Sequence, residues 1–196
     1  MELSRVTGKF CNTPVFGLDQ ATGDWVELGV YGSLQTYDRF ITERSFGQKK
    51  RVLVTLRETP IPETISQIRV GDFLDVFLVE SLNPDMAEVT YELVYSIRAA
   101  RYQAVLCQKT GQQRLSGVST GGTEQELETL WIDLERFGPA ESREFDAVDY
   151  TVYTATLPRH SQAKPGQYLK VGTQRYKIEE IYPQLDLPTA KVTRYV

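Results

Sequence analysis

Apolar and polar residues alternate along much of this chain, most clearly over residues 50–56, 88–97 and 150–157. Each of these stretches is rich in Val, Tyr and Thr and bounded by Gly, Pro, Asp or Asn, the signature of short strands with one buried face. Many such strands separated by turn signals predict an all-β protein built from small barrels or sandwiches. Helical spacing is confined to short connections. Ile61, Ile65 and Ile68 fall at i, i+4 and i+7 with Pro62 suited to a first turn and Gly71 past the end, which predicts a short helix. Tyr37, Phe40 and Ile41 predict a second short helix or lid.

The pattern occurs twice. An opening strand ending in Cys11 is answered by one ending in Cys107; Tyr31-Gly32-Ser33-Leu34 is answered by Trp131-Ile132-Asp133-Leu134; and residues 52–56 are answered by 152–157. Val70-Gly71-Asp72-Phe73-Leu74 is then matched with Pro165-Gly166-Gln167-Tyr168-Leu169. A repeat of this length is too long for a solenoid or propeller unit and suits a whole domain copied in tandem. Two domains follow, residues 1–98 and 99–196, with the largest difference between them expected in the connection that carries Ile61 and Ile65. Halves of this size can bury a modest core unaided.

Composition is that of an ordinary globular protein, with 41% apolar and 24% charged residues. No apolar run reaches the length of a membrane span, and the first residues lack the basic-then-apolar order of a signal peptide, so a cytoplasmic protein without membrane partners is expected. The net charge is -4, and it lies in the first half, which has 10 Lys/Arg against 14 Asp/Glu where the second has 12 against 12. Such a chain cannot grip nucleic acid over its whole surface, because backbone affinity comes from cations displacing counterions. Contact with DNA would be local.

Candidate chemistry is sparse. The two cysteines, one per half, predict buried apolar residues and no disulfide. One histidine, His160, and no C-x-x-C give a zinc site almost no ligands, so no metal or other cofactor is expected. Gly117-Val118-Ser119-Thr120-Gly121 fits the nucleophile-elbow pattern, with Asp146 or Asp149 and His160 following in hydrolase order. The stretch before it is polar and no βαβ alternation surrounds it, so a hairpin loop is the better reading and an enzyme is not expected.

Two long loops mix charge with aromatics at corresponding places. Residues 37–48 carry Arg39, Phe40, Arg44 and Phe46, followed by Lys49, Lys50 and Arg51; residues 136–149 carry Arg136, Phe137, Arg143, Glu144 and Phe145. Long loops in compact domains are either functional or packed back on the fold.

Each half resembles the bacteriophage head-tail joining family, also called head-closure or stopper proteins. The second half carries the likeness best: Leu130-Trp131-Ile132-Asp133-Leu134, Arg143-Glu144-Phe145, Tyr150-Thr151-Val152-Tyr153, Pro165-Gly166-Gln167-Tyr168-Leu169 and Gly172-Thr173-Gln174-Arg175-Tyr176-Lys177-Ile178. The first half offers residues 19–25 as the loop and residues 29–34 as the strand, and departs at the Gly-x-x-x-Tyr-x-Ile step, where Asp75-Val76-Phe77-Leu78 runs straight on. The resemblance implies small tandem β-barrels in a virion protein of the phage neck, assembled in the host cytoplasm. It further implies a cyclic homo-oligomer, a hexamer or dodecamer, around the DNA channel between portal and tail. Its partners would be the portal or an adaptor, tail terminator or tube proteins, and the double-stranded DNA itself. By the same resemblance Arg39, Arg44, Lys49, Lys50, Arg51, Arg136, Phe137, Arg143 and Glu144 would face the channel or neighbouring subunits. A tail terminator, a tail completion protein and a non-viral β-adaptor are the alternatives.

Overall fold

The computed structural model describes residues 11–20, 22–37, 50–56, 58–72, 74–82, 92–110, 114–115, 118–119, 122–136, 152–183 and 187–195. The chain divides into two compact units between Ala100 and Arg101, and the described residues are strands joined by turns, without a helix.

The first unit contains β1 (Thr13–Leu18), β2 (Trp25–Tyr37), β3 (Lys50–Leu56), β4 (Gln67–Val70), β5 (Val76–Leu82) and β6 (Glu92–Ala100). These close into an antiparallel barrel in the order β1-β2-β3-β6-β5-β4. The second contains β7 (Tyr102–Thr110), a two-stranded hairpin β8 (Arg114–Leu115) and β9 (Val118–Ser119), then β10 (Thr123–Arg136), β11 (Val152–Thr156), β12 (Tyr168–Val171), β13 (Gln174–Tyr182) and β14 (Thr189–Tyr195). Without the hairpin its barrel runs β7-β10-β11-β14-β13-β12, the same permuted order as the first. Closure leaves neither barrel with an open edge, which removes the unpaired N–H and C=O groups that invite association.

The likeness extends to single residues. Ile68 pairs with Phe77 on one side and Gly17 on the other, as Leu169 pairs with Tyr176 and Leu106. The Val79 amide donates to the Ser66 carbonyl at 3.0 Å and the Ile178 amide to the Gln167 carbonyl at 2.8 Å. A β-bulge interrupts β5 and β6 between Val79 and Ser81, and another interrupts β13 and β14 between Ile178 and Glu180, at the corresponding place.

This register corrects three pairings read from the sequence. Gly71, at φ 62°, corresponds to Gly172, at φ 57°, and not to Gly166; both occupy the left-handed region at the start of a hairpin, where a Cβ is strained. Phe77 and Val79 therefore supply in the first half the step that Tyr176 and Ile178 supply in the second, displaced by a longer hairpin. Cys107 corresponds to Leu18, whereas Cys11 precedes β1, so the two cysteines are not counterparts.

The helix expected over Ile61, Ile65 and Ile68 is absent. Pro60 and Pro62 flank Ile61 and remove two backbone donors, and the chain makes only a turn, with the Ile65 amide donating to the Pro62 carbonyl at 2.9 Å. All three isoleucines still reach the core, Ile68 from within β4. The second helix, over Tyr37, Phe40 and Ile41, falls mainly outside the described residues; Tyr37 itself ends β2. The connection expected to differ most is nearly matched, 57–66 against 157–167, and the clearest addition is the β8–β9 hairpin in the second half.

Alternation explains the cores. Val15, Leu53, Ile68, Phe77 and Ile97 point into the first barrel, and Leu106, Leu130, Ile132, Leu169 and Ile178 into the second, all nearly or completely buried. Each fully buried aliphatic side chain contributes about 1.5–3 kcal/mol.

Candidate functional site

Of the nine residues expected at a channel or subunit face, Arg39, Arg44, Lys49, Phe137, Arg143 and Glu144 lie outside the described residues. Lys50, Arg51 and Arg136 lie within them. Arg51 pairs across β2 with Thr36, and Arg136 pairs across β11 with Tyr153. These two pairs occupy the same register in their barrels, next to the strand ends at Tyr37 and Lys50 and at Arg136 and Val152. The structure thus sets a cation at the corresponding mouth of each barrel, on opposite strands of the pair.

The two arginines are not alike in their surroundings. The Arg51 guanidinium lies 5.7 Å from the centroid of the buried Phe77 ring, so its charge caps the apolar interior by a cation–π contact. Arg136 is exposed. The inward side chain beside it is Tyr153, which packs edge-on against Tyr176 with centroids 5.3 Å apart.

A polar cradle lies at the other end of the second barrel and was not picked out from the sequence. A cavity of about 310 Å³ is lined by Gln108, Lys109, Lys164, Gly166, Gln167 and Tyr168, with Pro165. Gly166, at φ 87°, turns the chain into β12. Gln167 is 7% exposed and is held at both ends: its Oε1 accepts from the Lys164 amide at 2.7 Å, and its Nε2 donates to Gln108 Oε1 at 3.5 Å. Lys109 Nζ stands 5.1 Å from the Tyr168 ring centroid. Beside the cradle, Lys170 pairs with Glu126 at 3.6 Å and Arg175 with Glu124 at 2.9 Å. The cradle offers two ammonium groups, an aromatic face and a fixed amide, which suits an anionic or mixed anionic and apolar guest. Lys-Pro-Gly-Gln was the available signal, but a turn sequence does not reveal that Lys109 comes up beside it.

Cys107 lies behind this surface. It is buried, and burial together with the nearby Glu124 and Glu126 carboxylates pushes its thiol up to about 11, against a small opposing effect of Lys170. A thiol so placed is protonated and unreactive at neutral pH. Cys11 is also buried, with its Sγ 3.5 Å from the Val54 carbonyl.

Ser119 belongs to β9, a two-residue strand paired back on β8, as a hairpin reading of the Gly117–Gly121 stretch anticipates. His160 lies in an exposed turn, and Asp146 and Asp149 fall outside the described residues. Among the described residues no three His, Cys, Asp or Glu side chains are grouped so as to hold a metal ion.

No family model matches the chain, and neither a curated protein nor a solved structure is detectably similar to it. The class defined by the fold is therefore that of a tandem pair of six-stranded β-barrels with a common strand order.

Proposed function

We propose that this chain is a structural protein of a tailed-phage neck, a head-tail connector of the head-closure or stopper kind, forming a ring around the DNA channel between portal and tail. The observation that carries the reading is the repetition of one permuted barrel order in both halves, with the strands of the corresponding pair separated in each by a long stretch outside the described residues, 38–49 and 137–151. Those stretches hold most of the residues the resemblance assigns to the channel or to neighbouring subunits, and Arg51 and Arg136 stand in the strands beside them. Closed barrels protect their own edges and leave loops and hairpin tips as the surfaces through which copies and partners meet. Six chains would present twelve similar modules to a portal of twelve subunits.

The test is the mass and symmetry of the purified protein with and without a portal assembly, by native mass spectrometry and electron microscopy. A closed ring, formed alone or only on the portal, supports the connector. A monomer indifferent to the portal overturns it.

A further inference from the structure

The hairpin between β4 and β5 carries the most exposed large apolar side chain among those described. Leu74 is 84% exposed, where Val26, Tyr31, Tyr102 and Tyr182 reach only 40–47%. Asp72 and Asp75, both exposed, flank it. In the second barrel the same turn is the two-residue hairpin Gly172-Thr173, tied by the pairing of Val171 with Gln174. The first barrel has thus lengthened this turn and placed an apolar tip between two carboxylates at its end. An exposed leucine in that setting has a solvation cost with no return inside its own barrel.

The second barrel has the complementary feature. Its cradle is lined by Lys109 and Lys164 together with Tyr168, Pro165 and the fixed Gln167 amide, and the Lys109 ammonium stands over the Tyr168 ring. The first barrel reverses the charge near the equivalent place: Glu63 stands three residues before Ser66, as Lys164 stands three residues before Gln167.

We propose that Leu74 of one copy, with Asp72 and Asp75 on either side, docks into the Lys109/Lys164 cradle of a second copy, with Leu74 against Tyr168 and Pro165 and the two carboxylates on the lysines. Tip and cradle lie on different barrels and each chain offers one and accepts one, so the contact can pass from copy to copy as a ring requires. The partner is a second copy because the charges and the apolar face needed to satisfy the tip are both present in this chain. Opposite charges at the rim of such a contact set its register and speed its formation. The proposal names the subunit contact for the ring reading above and rests on it.

Two single-cysteine probes test it, Leu74→Cys and Gln108→Cys, mixed and oxidised; the native cysteines are buried and do not compete. The expected result is a disulfide between the two different chains. Lys109→Glu with Lys164→Glu in the Gln108→Cys chain lowers its yield at least tenfold, and Asp72→Lys with Asp75→Lys in the Leu74→Cys chain restores it. Absence of the mixed product, a yield indifferent to charge reversal, or a bridge formed only within a chain carrying both probes overturns the docking. Assembly of the wild-type chain on a portal separates the two ideas. A ring without the mixed disulfide overturns the docking and leaves the ring, whereas the disulfide without a ring supports the docking and sinks the connector.

Discussion

A Cβ placed on Gly32 would lie 2.7 Å from Leu53 Cδ1, so the Leu53 side chain occupies the space a larger residue at position 32 would need. At the corresponding register the second barrel has Ile132 and Ala155, both fully buried. The large and small partners have changed places across β2 and β3 relative to β10 and β11, and each core stays filled. Gly17, with Ile65 Cγ2 2.9 Å from where its Cβ would be, and fully buried Leu106 show the same exchange.

Gly32→Ile is expected to overpack the first barrel and cost about 1–3 kcal/mol, and Leu53→Ala to leave a cavity and cost about 2–5 kcal/mol. The double variant, which copies the second barrel, regains most of that loss. Denaturant unfolding of the four proteins as a double-mutant cycle reads the coupling; additive losses would show that the two positions do not share one space.

This exchange also shows why the repeat was only partly legible. The strand containing Tyr31 and its match containing Trp131 stood out because their alternation is long and their register agrees. Compensating swaps such as Gly32 for Ile132 preserve a core while erasing identity, and the longer β4–β5 hairpin hid the match of Phe77 to Tyr176. The cysteines suggested a correspondence that the pairing of Gly17 and Leu106 excludes. Ile61, Ile65 and Ile68 had helical spacing because three core contacts from a turn and a strand produce the same interval. The barrel class was readable from alternation. The cradle was not, since Lys109 and Lys164 are brought together by the pairing of β7 with β12.

Arg101 is the one residue between β6 and β7, and its Nε lies 2.5 Å from Asp133 Oδ1. Asp133 is 4% exposed and corresponds to Ser33 of the first barrel. The carboxylate holds the guanidinium pKa above its usual value. Arg101→Leu leaves a buried charge without this partner and is expected to cost about 2 kcal/mol, the half-exposed arginine keeping the loss below that of a fully buried pair. Asp133→Asn costs less, because it removes the charge as well. Equal losses in thermal unfolding would place the effect in packing.

Tyr95 offers a second internal test. Its hydroxyl accepts the Ile61 amide proton at 3.0 Å, and burial raises its pKa, with the Ile61 amide and the Thr55 hydroxyl pulling it back. Tyr95→Phe strands that buried amide and is expected to cost about 1–2 kcal/mol. Hydrogen exchange at Ile61 should quicken more than at Leu53 in the neighbouring ladder. Unchanged protection at Ile61 would show that the hydroxyl does not hold the turn.

Cys107 links stability to alkaline pH. Its folded-state pKa of about 11 exceeds the ordinary thiol value of 9.0, so between these the unfolded chain has lost a proton that the folded one keeps. The stabilisation is fully present below pH 9 and is lost as pH rises through 11, amounting to about 2 kcal/mol at the upper end. Cys107→Ala removes this component, so its unfolding midpoint should fall less steeply between pH 9 and 11 than that of the wild type, in which Tyr95, Tyr176 and Lys177, all with raised pKa, add to the slope. In the folded protein the thiol should resist alkylation at pH 8 and react only on unfolding. Rapid labelling under native conditions would mean that β7 and β12 open at this point, and the cradle in front of Cys107 would then be a moving surface and not a preformed one.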